Sequence, residues 1–290
     1  MALCDDVRAA CARIAADARW VTIDASALER VVPEPPPALD PLSHYLEGSE
    51  ADVATYMLTV DAVNFGSGWF PTLAKRPGCS GYTTIAWAIA DRFRADGPWS
   101  AAQLRALRAD ELADTLGQRR DHELMALYAQ ALRSLGAFLG DRDALALVRE
   151  SHASAERLAT MLAGGMALFA DHGFYKRAQI APADLALAGV ASFGDLDRLT
   201  IFADNLVPHV LRCDGVLRYD DALAAHIDAG LALRPGEQER EIRACAVHAC
   251  EQIAQRSGVA PYELDNWLWN RGQEPAIKAR PRHRCRTVYY

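Results

Sequence analysis

"GEQEREIRACAVHACEQIAQRSG", residues 236–258, decides how the rest of the chain is read. Ile242, Cys245, Ala249 and Ile253 recur at intervals of three and four, which places them on one face of an α-helix. The stretch opens on acids, which suit the positive end of a helix dipole, and it stops at Gly258. The same period runs through Val7, Ala10, Cys11 and Ile14, and through Val53, Tyr56, Met57 and Val60. It continues in Ile85, Ala88 and Ile89, and in Leu124, Leu127, Leu132 and Leu135. "SAAQLRALRADELADTLG" (100–117) reads as two short helices, and the Pro-rich "VPEPPPALDP" (32–41) as a stiff connector packed over the surface. Extended pieces fit only at "WVTID" (20–24) and "RTVYY" (286–290), and neither is expected to build a sheet. The expectation is one compact all-α domain spanning residues 1–290.

Composition narrows the class. The chain has 290 residues, 51% of them hydrophobic, enough to bury a sizeable core. No uncharged apolar run reaches the ~18 residues of a membrane span. In "MALCDDVRAACARIAADARW", Asp5, Asp6, Arg8 and Arg13 interrupt the stretch that a signal peptide would keep apolar, so a cytosolic protein is expected. The seven cysteines (4, 11, 79, 213, 245, 250 and 285) are odd in number and form no CxxC pair. In "CAVHAC" (245–250), Cys245 and His248 share a helix face but Cys250 lies off it. Buried thiols in a reducing compartment are expected there rather than a metal site. A net charge of −7 argues against a grip on long nucleic acid, whereas a small anion needs only two or three cations. Of the 31 basic residues only Lys75, Lys176 and Lys278 are lysines, so Lys176 in its apolar, Gly-preceded setting stands out.

Five segments mix aromatic with polar residues: 44–70, "GFYKRAQI" (173–180), "TIFADNLVPHVLR" (200–212), "YELDNWLWNRG" (262–272) and "PRHRCRTVYY" (281–290). Any site they make is assembled by tertiary folding. In the third, Asp204 interrupts a run that otherwise reads as buried. One reading is an N-cap for a helix starting at Asn205, with Pro208 at the end of the first turn. The other is a catalytic carboxylate beside an apolar pocket, and the two roles are compatible.

"VNFGSGW", "FYKRAQI", "LTIFADNLVPHVLR", "GVLRYDD", "GEQEREIRACAVHACE", "LDNWLW" and "HRCRTVYY" occur in that order from about residue 44 to the last residue. Together they make the chain resemble the queuosine 5′-phosphate N-glycosylase/hydrolase family, also called queuosine salvage proteins. The resemblance implies a helical fold similar to that of helix-hairpin-helix DNA glycosylases. It implies hydrolysis of the N-glycosidic bond of queuosine 5′-monophosphate, a small-molecule nucleotide, with release of the 7-deazaguanine base queuine. By the same resemblance Asp204 is the catalytic carboxylate and Asp265 binds the base edge. A carboxylate suits that edge because it accepts from the paired N–H donors of a guanine-like face. Asn266 and Asn270, spaced i,i+4, can face the same ligand, Asn270 alternatively being a polar residue before the helix stop at Gly272. Phe202 is a candidate to stack on the base, and His44 to hydrogen-bond the base or its cyclopentenediol arm.

Lys176 and Arg177 are the phosphate candidates, although consecutive residues on a helix diverge by about 100° and only one is expected to reach the ligand. Arg284 and Arg286 are alternatives, and Lys176 can instead pair with Asp204. Asn64, Phe65, Gly66 and Gly68 can wall the pocket. Trp267 and Trp269 are expected to pack in the core. No cofactor, metal, intact nucleic acid or membrane partner is expected. Two rival readings are a base glycosylase acting on DNA or RNA and a non-catalytic helical nucleotide-binding module.

Overall fold

The computed structural model describes residues 2–290. Fifteen α-helices and three short 3₁₀ turns make up most of the described residues. None of the helices is long and apolar enough to cross a membrane. The architecture is all-α, as the helical period predicts.

The 236–258 stretch forms the helix Glu237–Ser257, ended by Gly258 at φ 75°, a left-handed conformation that glycine adopts without steric cost. Its apolar stripe of Ile242, Cys245, Ala249 and Ile253 is fully buried. Glu241, on the same helix, is buried as well. Its Oε1 accepts the backbone N–H groups of Arg19, Trp20 and Val21 at 3.0, 2.5 and 2.7 Å. That carboxylate fixes the start of the strand Val21–Ile23.

This strand pairs antiparallel with Leu217–Tyr219, in the register Val21↔Tyr219, Thr22↔Arg218, Ile23↔Leu217. The expectation that "WVTID" builds no sheet is therefore corrected. A three-residue pair is too short to show a period, and its partner lies far along the chain. Burial of Val21 and Leu217 in the core holds together a ribbon that would be marginal alone.

The helix after Asp204 begins at Val207, not at Asn205, and runs to Cys213. Pro208 explains the difference. In a helix starting at Asn205 its missing N–H would cost the first i→i−4 bond, whereas at the second helical position that group has no helical partner to lose. The segment 100–117 forms two helices, Ala101–Ala106 and Ala109–Thr115, as read from the sequence.

The chain divides into two compact units and crosses between them repeatedly. The first takes residues up to Pro37, 172–176 and 195–287; the second takes 38–171, 177–194 and 288–290. In the first, Glu237–Ser257 packs on Leu3–Ala16, Val207–Cys213 and Pro261–Arg271. In the second, the helix Glu50–Ala62 is central. Nine of the ten positions from Val53 to Ala62, all but Thr55, are buried, and its start is closed by a Ser49/Asp52 capping box.

Candidate active site

Residues 202–205, which contain Asp204, are held at every position. The Phe202 N–H donates to Asp265 Oδ1 at 2.8 Å. The Ala203 carbonyl accepts from Arg243 Nε at 2.8 Å. Asp204 Oδ1 accepts the N–H groups of Leu206 and Val207 at 2.6 and 3.0 Å. Asn205 Nδ2 donates to the His283 carbonyl at 3.0 Å. Four neighbours thus converge on four residues: the helix Glu237–Ser257, the helix Pro261–Arg271, the helix Val207–Cys213 and the C-terminal tail. All of them belong to the first unit.

Arg243 is the least expected of these anchors. It is 2% exposed, its guanidinium lies 3.9 Å from the Phe174 ring centroid, and Glu239 one turn earlier approaches at 3.3 Å. A buried guanidinium is tolerable only with acceptors around it, and here the acceptors include the backbone that carries Asp204. Its only sequence signal is an arginine adjoining the apolar stripe of a long helix. On the other side, a Cβ on Gly272 would come within 2.6 Å of Leu206 Cγ, so the end of Pro261–Arg271 packs closely on the residue that Asp204 caps.

The geometry divides the two oxygens of Asp204. Oδ1 accepts the N–H groups of Leu206 and Val207 just ahead of the following helix, but the N-cap position is Leu206, so Asp204 is not the N-cap of the capping reading. Oδ2 accepts no hydrogen bond and joins no ion pair among the described residues, Lys176 included. The residue is partly exposed. One oxygen is thus committed to architecture while the other faces outward from a fixed segment.

The other candidates fall into two groups. Phe202, Asp265, Asn266, Asn270 and Lys176 belong to the first unit with Asp204, and His44 and Arg177 to the second. Phe202 and Asp265 are both 5% exposed. Asn270 Nδ2 donates to Asn266 Oδ1 and to its carbonyl, each at 2.8 Å, so the two amides share a helix face as their spacing predicts. Trp267 is buried in the core and Trp269 is packed partly against it.

Lys176 and Arg177 are both buried, at 4% and 1% exposure. The Arg177 guanidinium donates to the carbonyls of Ala62 at 2.6 Å, Val288 at 2.7 Å and Leu168, and lies over the rings of Phe65 and Phe169. Burial pushes its pKa down to about 9, with Asp171 offsetting part of the shift. It therefore stays charged at neutral pH, with its donors turned to backbone carbonyls. In the same unit Tyr128 donates to the Phe65 carbonyl at 2.7 Å, and Gly66, at φ 104°, donates its N–H to the Tyr290 carbonyl at 2.9 Å. Phe65 and Gly66 are part of this packing.

His44 sits in a small polar network. Ser43 Oγ donates to Asp40 Oδ2 at 2.8 Å, and His44 Nδ1 lies 3.1 Å from the Asp40 carbonyl. A carbonyl only accepts, so Nδ1 carries the proton. Burial pushes the imidazole pKa down, which keeps the ring neutral. Nε2 is then an acceptor, 3.4 Å from the Tyr82 hydroxyl.

The comparisons with known proteins follow the same residues. The family model described as "Queuosine salvage protein" matches residues 43–290. A queuosine 5′-phosphate N-glycosylase/hydrolase of Sphaerobacter thermophilus is 30% identical over 96% of this chain and 95% of its own length. A protein of the same name from Nematostella vectensis is 28% identical over 85% of each chain. One from Mus musculus is 32% identical over 49% of this chain and 50% of its own. The matched region contains Asp204, Asp265 and every residue that anchors the 202–205 segment, and the chain belongs to the queuosine salvage protein family.

Proposed function

We propose that the chain hydrolyses the N-glycosidic bond of queuosine 5′-phosphate and releases queuine, with Asp204 as the catalytic carboxylate. The relatives' shared name supports the reaction. The observation that carries it to a residue is the divided role of Asp204: an Oδ1 held by two N–H groups and an Oδ2 with no partner among the described residues, on a segment fixed at each position.

The chemistry asks for such a group. As the base departs, the sugar ring becomes electron-poor at C1′. A 7-deazaguanine has carbon where a purine has N7, so protonation there does not assist departure and more of the stabilisation falls on the sugar side. An ionised carboxylate against C1′ stabilises the developing cation or deprotonates the attacking water. Anchoring by N–H, guanidinium and amide donors keeps it from reorganising during the reaction.

Asp265 reads the base edge in this proposal while it holds Phe202, and Phe202, Asn266 and Asn270 complete the base side. His44 takes its base-binding role from the resemblance alone, and its Nε2 suits a donor on the ligand. Lys176 is kept as a phosphate or sugar ligand, whereas we assign Arg177 to packing because its two terminal nitrogens already donate to three backbone carbonyls. The ligand is a single nucleotide, in keeping with the net charge of −7, and the protein works in the cytosol. Residues 1–290 act as one functional domain, which the span of the family match across both units supports.

Incubation of the purified protein with queuosine 5′-phosphate should yield free queuine and ribose 5-phosphate by chromatography. Binding without release of base would mean a nucleotide-binding module. Excision of a base from an oligonucleotide instead would mean a nucleic-acid glycosylase.

A further inference from the structure

The tail 280–286 reads Arg280, Pro281, Arg282, His283, Arg284, Cys285, Arg286: four arginines and no acid. Alternate side chains of an extended chain point to opposite sides. The burial follows that period: His283 and Cys285 are fully buried, while Arg282 and Arg284 are partly exposed and Arg286 is exposed. The segment is pinned on both sides. Leu233 donates its N–H to the Arg284 carbonyl at 2.8 Å and bridges to Cys285. Asn205 Nδ2 donates to the His283 carbonyl at 3.0 Å. Because Asn205 follows Asp204 and His283 follows Arg282, that last bond brings the arginine face to the Asp204 segment.

Arg282 differs from an ordinary surface arginine. Its Nε is out of reach of solvent and has no hydrogen-bond partner. Among the described residues its guanidinium donates no hydrogen bond and joins no ion pair. Burial pushes its pKa down, and the charge of Asp204 offsets part of that shift, so the two groups are within electrostatic reach without being paired. The field around it is positive: Arg284 opposes its charge, and Arg212 and Arg280 act with it on the neighbouring His209. A desolvated guanidinium with no acceptor is costly in a folded protein. What it lacks is an anion that can take two parallel N–H donors, as a phosphate does.

We propose that Arg282, backed by Arg284, binds the 5′-phosphate of the substrate. This rests on the functional reading above and replaces the sequence candidate Arg177. The phosphate and C1′ are carried on one ribose. A cation held next to Asp204 but not paired with it takes the phosphate and leaves the carboxylate to the sugar.

The test compares kcat/KM on queuosine 5′-phosphate and on the nucleoside queuosine for the wild type, Arg282→Gln and Arg282→Lys. Melting curves serve as the folding control. Arg282→Gln should lose about 10- to 100-fold on the phosphorylated substrate, mainly in KM, and at least about tenfold less on the nucleoside. Arg282→Lys should recover part of the loss, since it restores the charge but not the fork. Equal losses on both substrates, or none, would overturn the assignment. If the wild type cleaves neither substrate, the functional reading fails, and calorimetry with inorganic phosphate decides on Arg282 alone. A Kd raised about tenfold in Arg282→Gln upholds the anion site, and an unchanged Kd removes it.

Discussion

Asp204 is where local structure and chemistry meet, and its two oxygens let the roles be separated by substitution. Asparagine keeps an Oδ1 able to accept from the Leu206 and Val207 N–H groups, and Asn and Asp cap helices about equally well. Oδ2 becomes an amide without charge. Asp204→Asn should therefore melt within about 0.5 kcal/mol of the wild type and still bind the nucleotide. Its kcat should fall by about 10²–10⁴, the span for a positioned acid–base group. Turnover, melting temperature and nucleotide affinity measured together decide the matter, and near-wild-type turnover in a folded variant would leave Asp204 a cap alone. Asp204→Ala is the complement, expected to lose about 1 kcal/mol of stability along with activity. That Asp204 takes nearby backbone N–H groups is legible in the sequence because such bonds are local, although the N-cap itself is Leu206. The helix starts two residues later than the sequence reading has it, which moves Pro208 from the fourth helical position to the second. Arg282 escaped notice because its setting depends on a bond between Asn205 and His283, which are far apart in sequence.

At the scale of elements, the site is a convergence of three helices and one tail on an irregular segment, and Asp265 shows how binding and architecture share a side chain. Periodicity identifies the helix Glu237–Ser257, and the i,i+4 spacing of Asn266 and Asn270 places both amides on one face of the helix Pro261–Arg271. It could not reveal that Asp265 reaches out of its helix to the Phe202 N–H, because a long-range side-chain bond leaves no period. The two-residue-face alternation of the short Val21–Ile23 pair was invisible for a related reason: three residues are too few. The bond to Phe202 makes a distinction testable. Asp265→Ala strands a buried N–H and should cost about 1–3 kcal/mol of stability as well as base affinity. Asp265→Asn keeps an acceptor for Phe202 and should melt near the wild type, while queuine binding still weakens by about 1.5–3 kcal/mol through the lost charge. Calorimetry with queuine and thermal denaturation of both variants check this. If Asp265→Asn binds queuine as the wild type does, Asp265 is an anchor of the Phe202 segment and not a reader of the base.

At the scale of the whole molecule, the helical class followed from the apolar period, but the division into units did not. The chain enters each unit several times, so no linker composition marks a boundary. The Pro-rich stretch comes nearest, since one crossing falls at Pro37 within it. The last crossing is the most informative, because Val288, Tyr289 and Tyr290 belong to the second unit while the residues before them belong to the first. In that unit the Val288 carbonyl accepts from Arg177, the Tyr290 carbonyl accepts from Gly66, and the Tyr290 residue is 2% exposed. The sequence marks the Tyr-Tyr ending as an extended, aromatic piece and by resemblance, and offers Arg177 as a cation for the phosphate. Burial instead makes the two parts of one packing arrangement around a guanidinium whose Nε has no hydrogen-bond partner. Removal of residues 288–290 should therefore act on the stability of the second unit. Loss of an acceptor to a buried charged donor costs about 1.5–3 kcal/mol, and loss of a buried aromatic side chain a comparable amount. The sum, about 3–6 kcal/mol, is a large share of the 5–15 kcal/mol by which domains are usually stable. The chain ending at Thr287 should melt many degrees below the full-length protein or fail to accumulate in soluble form. Arg177→Lys should move in the same direction by less, since one ammonium does not match three carbonyls in fixed positions. An unchanged melting temperature in the shortened chain would mean that the Arg177 and Gly66 contacts to the tail contribute nothing to the fold.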